Sequence, residues 1–521
     1  MQNNTRTVKS VRIMINLLLC GMLMLTGGCS SGLYIRAIIK LDNARRLKKV
    51  IDTGWDINTE IGLKTTPLMF ACRHDSEKTA ELLIEKGADM TVRTHAKSNL
   101  LLFSAWSNSP KVLKLLIGRG ASVENSNVNG NRPLMAAAMF DARESAEVLI
   151  QLGADVNAAN NNGLTAAHFA SKSNAADTLG LILEAGAYVD AVDKAVGTPL
   201  IHAARLGQIR CARMLIKYGA DINYSFRNKH NVLGVAVFSN SEKVARLLLD
   251  AGADIDAKME EYPSLLIAAV YKNLPGMIEI LIEYGAEIDR EDNMNSNALT
   301  LAANLDHFES AKILLENGAE VNRKTLEGSN ALLNGIRHNA SYSMIKLLLK
   351  YGADINAVDG TGESALFKAA TRLNQPEITR LLLRKGIIDI NLKREDGKTA
   401  FMVAAYCNNL KACKMFYRAG ADINARGEAG ATAFMSAAYN NSVSVLRFLL
   451  EKGADVNDTK YNGRTALIGA VSRNAIDAVR FLLQNSADPN IVMKNGMTAL
   501  KEAQIKGNSG ILELLKKYGA K

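Results

Sequence analysis

Cysteine and histidine are the side chains here that could carry acylation, redox or metal chemistry, and the 521-residue chain has only six of the first and seven of the second. His74, His95, His168, His202, His230, His307 and His338 do not group with cysteines at ligand spacing, so no zinc or other metal site is expected. No nucleophile beside a base and no phosphate-cradling loop accompanies them, and the recurring Asp and Asn are turn formers rather than paired acids. The expectation is a chain that is no enzyme and needs no cofactor. Cys29 differs from the rest in its setting. It follows a basic start without acids (Arg6, Lys9, Arg12), an apolar stretch from Ile13 to Leu25, and the small residues Thr26, Gly27 and Gly28. That is the order of a secretory leader. As a helix the apolar stretch would reach only ~20 Å of a ~30 Å hydrocarbon core, so a leader is the stronger reading than a permanent span.

Leu25-Thr26-Gly27-Gly28-Cys29 resembles the bacterial lipobox, in which a peptidase cuts before a cysteine whose sulfur carries diacylglycerol. Thr26 departs from the Leu that the family prefers three residues before the cysteine. An uncleaved anchor and a chance apolar start are the other readings. The resemblance implies residues 1–28 as lipoprotein signal peptide, lipidation at Cys29 and export. Ser30, which is not Asp, implies the periplasmic side of the outer membrane or the cell surface. The formal charge is +11, and losing the three leader cations leaves 60 basic against 52 acidic residues (63 less 3). Positive charge forms no long run, and no nucleic acid partner is expected.

Most of the chain repeats. Gly54, Gly87, Gly120, Gly153, Gly186, Gly219, Gly252, Gly285, Gly318, Gly352, Gly386, Gly420, Gly453 and Gly519 step by 33 or 34, or twice that across Ser486, which fills the one vacant place. Around them runs Gly-Ala-Asp-Val/Ile-Asn, as in Gly153–Asn157, Gly352–Asn356 and Gly453–Asn457. Twelve residues after most of these glycines comes a second anchor, as in Thr66-Pro67-Leu68, Thr165-Ala166-Ala167-His168, Thr198-Pro199-Leu200 and Thr432-Ala433-Phe434. Thr caps a first helix, Pro is tolerated at its first position, Ala pairs such as Ala404-Ala405 allow close approach, and runs such as Leu347-Leu348-Leu349 fill a shared core.

These signatures resemble the ankyrin repeat over roughly 33–521. The resemblance implies an all-α ankyrin-repeat solenoid, helix-turn-helix plus a hairpin finger, with about 14 full repeats over 56–521 and a lipidated N-terminus and capping repeat over 29–55. In such a stack His168 would bond loop backbone. Asn231-Val232-Leu233 and Asn330-Ala331-Leu332 lack Thr and Pro and are expected to start less crisply. One extra residue falls near His338–Ser341, another near Leu373–Pro376 and a third at Ile387-Ile388. At ~10 Å per layer Cys72 and Cys211 cannot meet, whereas Cys407 and Cys413 could be close across a helix-turn-helix.

Seven and eight residues after the anchors, where such repeats face a concave groove, stand Trp106, Met139, Phe140, Phe238, Tyr271, Tyr406 and Tyr439. Arg73, Arg205, Arg337, Arg372 and Arg473 are interleaved with them. Aromatic residues with arginine are the composition of a protein-binding surface, and the basic bias implies an acidic partner. The reading is a membrane-anchored, monomeric scaffold holding a partner protein. An envelope tether and an effector delivered to a host cell are the competing functions.

Overall fold

The computed structural model describes residues 31–521 apart from 63–64, 94–97, 227–229, 257–261, 372–374 and 385–388. Two compact units divide at Glu261/Tyr262. Within each, a first helix packs on the first helices of its neighbours and on its own second helix, and second helices pack on second helices. In the first unit the stack opens with the pair Ser31–Lys40 and Ala44–Ile51, whose Asn43 caps Arg46 N–H at 3.1 Å, and runs to Glu242–Asp250. In the second it runs from Leu265–Tyr271 to Ser509–Lys517. No helix among the described residues is long and apolar enough to cross a membrane.

Thr66 Oγ1 accepts the Met69 N–H at 3.3 Å with Pro67 at the first helical position, so one side chain occupies an otherwise orphan donor. The repeats expected to start less crisply do not. Asn231 Oδ1 accepts Gly234 N–H at 2.6 Å and Asn330 Oδ1 accepts Leu333 N–H at 3.0 Å, because Asn caps as well as Thr and no proline is needed. The paired alanines Ala404, Ala405, Ala437 and Ala438 are fully buried, as are Leu248 and Leu348 of the second helices.

Two kinds of Asx staple recur between neighbouring repeats. The first sits in the left-handed region at the end of a first helix. Asp75 (φ 52°) accepts the N–H groups of Lys111 and Val112 at the start of the following second helix, at 2.9 and 3.0 Å. The second is the Asn of the Gly-Ala-Asp-Val-Asn turn. Asp155 accepts Asn157 N–H at 2.9 Å, and Asn157 in turn accepts Tyr188 N–H at 2.7 Å and donates to the Gly186 carbonyl at 3.2 Å. The fingers pair edge to edge, as in Asn161 N–H to Asn129 O at 3.1 Å, and one forms a two-stranded hairpin, Ser225–Phe226 with His230–Asn231.

The extra residue near His338–Ser341 is absorbed locally: Asn339 turns left-handed (φ 68°), Ala340 is buried, and Ser341 caps Met344 N–H at 3.2 Å while bonding Asp306. Of the other two insertions, that at Ile387-Ile388 lies outside the described residues and that near Leu373–Pro376 lies partly outside them. Ser486 takes the left-handed conformation of the glycines it replaces (φ 69°). A Cβ there costs roughly 1 kcal/mol, so Ser486→Gly is expected to raise the urea midpoint by that equivalent, and an unchanged or lowered midpoint would contradict it.

Candidate functional site

The first helices end where the sequence places the candidate residues, and each unit gathers some of them. In the first unit Trp106 stacks on Phe140 of the next repeat, ring centroids 4.7 Å apart and 22° from parallel, and meets Phe103 edge-on at 5.7 Å. Trp106, Met139 and Phe140 keep 42%, 45% and 47% of their surface in water, an expense that neighbouring packing has not removed. Beside them lies a depression of about 190 Å³ lined also by Leu102, Met135 and Phe169. Phe169 and Met135 were not singled out from sequence. Their positions read as core, and only the gap between adjacent repeats reveals an open edge.

Cations flank this cluster. Arg73 and Arg205 are exposed one repeat before it and two repeats after its Met139, and Lys172 lies over Phe169 at 5.8 Å. Phe238, by contrast, is half-buried and stands apart from the Trp106 group.

In the second unit Tyr406 and Tyr439 approach to 6.5 Å between ring centroids, and Arg473 lies over the Tyr439 ring at 5.0 Å with Arg464 on it at 5.9 Å. Arg464, another unforeseen member, comes from the finger rather than the helix end. Tyr271 pairs with Tyr262 at 5.5 Å. Arg337 is engaged by Glu327 at 2.7 Å, which diminishes its availability to a ligand. Arg372 and Cys29 lie outside the described residues. Fourteen anchors with two positions each give twenty-eight places, and none holds Asp or Glu, although the chain has 52 acids.

Two buried polar clusters lie behind these surfaces. His168 Nδ1 accepts the Thr165 N–H at 3.1 Å, so Nε2 carries the proton and donates to the Gly197 carbonyl at 3.0 Å, the loop bond expected of this histidine. Next to it His202 Nε2 meets Asp193 Oδ2 at 2.7 Å, and Asp193 Oδ1 accepts the N–H groups of Ala195, Val196 and Gly197. His168, Asp193 and His202 are close enough to suggest a metal triad. Both nitrogens of His168, the His202 Nε2 and both carboxylate oxygens are already committed to protein partners, and Arg205 stands 3.4 Å from the remaining nitrogen, so the cluster is a latch between repeats. The second cluster has the same spacing. Asp359 Oδ2 accepts from Lys368 Nζ at 2.5 Å, with Glu363 and Arg394 completing a charged cavity of about 600 Å³. Sequence reading missed both pairs, although an acid nine residues before a first-helix cation is a signal it could have used.

Burial pulls the His168 ring down to about 4, outweighing its bond to Gly197, and His202 shifts the same way for the same first cause. Burial works to raise Asp193, but the three backbone donors and His202 outweigh it and bring the carboxyl to about 2. A histidine depressed from 6.5 to about 4 stabilises the fold fully above pH 6.5 and loses that contribution as pH falls toward 4. Between pH 7 and pH 4.5 this removes about 2–3 kcal/mol. The facing charged and titratable groups are His202, Asp193 and Lys172. Urea transitions at the two pH values test it: the acid-induced loss should shrink in His168→Gln relative to the unsubstituted chain, and an equal loss in both would refute the assignment.

Cys72, Cys211, Cys407 and Cys413 are free thiols, and burial pushes Cys72, Cys211 and Cys413 up to about 12, far from thiolate reactivity.

Comparison with known proteins is consistent over almost the whole described length. The family model "Ankyrin repeats (3 copies)" matches residues 100–193, 190–259, 258–325, 331–427 and 434–521, "Ankyrin repeats (many copies)" matches 408–450 and "Ankyrin repeat" matches 64–95. Among solved structures, the crystal structure of the human ASB11 ankyrin repeat domain is similar at 25% identity, with 42% of this chain and 98% of that chain covered and a TM-score of 0.38. No curated protein matches.

Proposed function

Because this chain belongs to the ankyrin-repeat family, whose members are protein–protein interaction scaffolds and typically not enzymes, we propose that it is a membrane-anchored scaffold that holds an acidic partner protein against the exposed ends of its first helices. The observation that carries this reading is the coincidence of exposed aromatic clusters with a complete lack of acids at the same twenty-eight positions. A partner surface bearing carboxylates meets no like charge there and finds Trp106, Met139 and Phe140, or Tyr406, Tyr439 and Arg473, as anchors. Arg73, Arg205 and Arg372 supply the flanking charge, Arg337 adds to it only where a partner carboxylate displaces Glu327, and Tyr271 extends the aromatic set.

Residues 1–28 are read as leader, 29–55 as lipidated N-terminus and capping repeat, and 56–521 as the array. The lipobox-like run before Cys29 supports that division, and the helix starting at Ser31 follows the cysteine by two residues. The protein then works as a monomer at the periplasmic side of the outer membrane or at the cell surface. Palmitate-analogue labelling tests the anchor: the full chain is expected to take up label and sediment with membranes, and Cys29→Ala to lose the label. Label retained in Cys29→Ala, or none in the unsubstituted chain, would remove the anchor and favour an effector released from the cell. Partner capture is tested separately by pull-down from envelope extract with mass spectrometry, scored by whether the captured protein is lost with the Trp106 substitution described below.

A further inference from the structure

The sequence shows no basic run, but the fold assembles one on the side away from the aromatic clusters. In the second unit Lys346, Arg380 and Lys414 occupy one equivalent position on three successive second helices, Tyr342–Lys350, Pro376–Arg384 and Leu410–Arg418. Lys350, Arg384 and Arg418 repeat one helical turn further on. Lys411 adds a seventh cation, and Glu377 is the one acid in the three helices. All seven cations are exposed, and these helices pack side by side.

Helix axes ~10 Å apart and side chains ~6 Å apart along each helix make a two-by-three grid of positive charge. Its members lie within about a Debye length of one another and repel unless an anion faces them. The repeat itself does not demand this. The second helix Pro275–Glu283 carries Glu279 and Glu283 at the same two positions, and Ser509–Lys517 carries Glu513 at the first of them.

Aromatic and apolar groups accompany the charge. Tyr342 and Tyr417 are exposed, and a groove of about 530 Å³ beside Lys346 and Lys350 is floored by Phe308, Leu347 and Leu381, with Lys312 and Glu316 on its far rim. Cations around amphipathic tyrosines and a shallow apolar floor match a headgroup layer, where phosphates sit above hydrocarbon. We propose that this face docks on an anionic phospholipid bilayer. Choosing a bilayer over other polyanions rests on the lipid-anchor reading, which gives the chain a membrane to meet.

The test uses the chain as it stands after leader removal, residues 29–521 with Cys29→Ala, so that success or failure of lipidation, read by palmitate labelling of the unsubstituted chain, leaves it untouched. Sedimentation with vesicles of phosphatidylcholine alone or mixed with phosphatidylglycerol is measured across a salt series. Partition is expected to favour the anionic vesicles and to fall with salt. Each cation near the surface contributes about fivefold, so Lys346→Gln, Arg380→Gln, Lys414→Gln and Arg418→Gln together should lower partition several-hundredfold. Four neutralisations on the first unit, at Lys111, Lys114, Arg210 and Arg213, should leave it nearly unchanged. Should the fourfold variant not give the parent thermal transition, Arg380→Gln alone is read for its fivefold loss. Equal partition of grid variant and parent, salt-insensitive binding, or loss of nucleic acid or acidic-peptide binding with vesicle binding intact would each overturn the proposal.

Discussion

Replacing Trp106 by alanine is expected to weaken capture of the partner protein by about 2–4 kcal/mol, roughly 30- to 1,000-fold in Kd, while changing the stability of the stack little. The asymmetry follows from where the ring sits. Trp106 is 42% exposed and lies flat on Phe140 of the next repeat, so its truncation leaves no enclosed cavity in the core. In a complex the same ring offers the partner an apolar face, beside the depression edged by Met135, Met139 and Phe169. Phe140→Ala should weaken capture as well, and the double substitution should cost less than the sum because the stacked rings act together. Binding by isothermal titration with the captured partner, alongside urea transitions of each variant, separates the two effects. Tyr439→Ala asks the same of the second unit, where Tyr406 and Arg473 bracket the ring. If whole-repeat deletions abolish function while all these substitutions leave capture intact, the chain is a spacer and the binding reading fails.

Lys368→Met is expected to destabilise the second unit by about 3–5 kcal/mol. Lys368 is 5% exposed and Asp359 8%, a nearly dry ion pair. Asp359 Oδ1 already accepts the Thr361 and Glu363 N–H groups, leaving Oδ2 dependent on the lysine. Burial alone would raise this carboxyl, and the Lys368 bond together with the Thr361 and Glu363 donors instead brings it down to about 2. Removing the cation strands a buried carboxylate, whereas Asp359→Asn with Lys368→Met removes both charges and should recover most of the loss. Urea transitions of the two variants decide it: a single variant within about 1 kcal/mol of the parent, or a double no better than the single, would show that water or Arg394 replaces the lysine.

The latch in the first unit offers the contrast. Asp193 and His202 stand nine residues apart like Asp359 and Lys368, but a neutral histidine satisfies the acid there through a hydrogen bond, with burial holding its pKa down. One repeat geometry thus carries a histidine–carboxylate pair in one unit and a lysine–carboxylate pair in the other.

The linear order of residues determined everything that depends on phase. A glycine at all but one of the steps of 33 or 34 residues, Thr, Asn or Ser at nearly every first-helix start and an Asp-Val-Asn-like turn after most second helices dictate caps and turns that are local to a few residues, and the folded chain uses them at those places. The helix-end positions were legible for the same reason, since a fixed offset from an anchor fixes which side of a helix a residue occupies. What lies one repeat away was not. Trp106 meeting Phe140, Asp75 capping the next repeat's second helix and Arg464 reaching Tyr439 depend on the spacing and rotation of stacked layers and on the rotamer each long side chain can adopt between them. Lys346, Arg380 and Lys414 look like isolated charges along the chain because a whole repeat separates each from the next, and only stacking sets them side by side. Local chemistry was written in the sequence; adjacency between repeats was decided by packing.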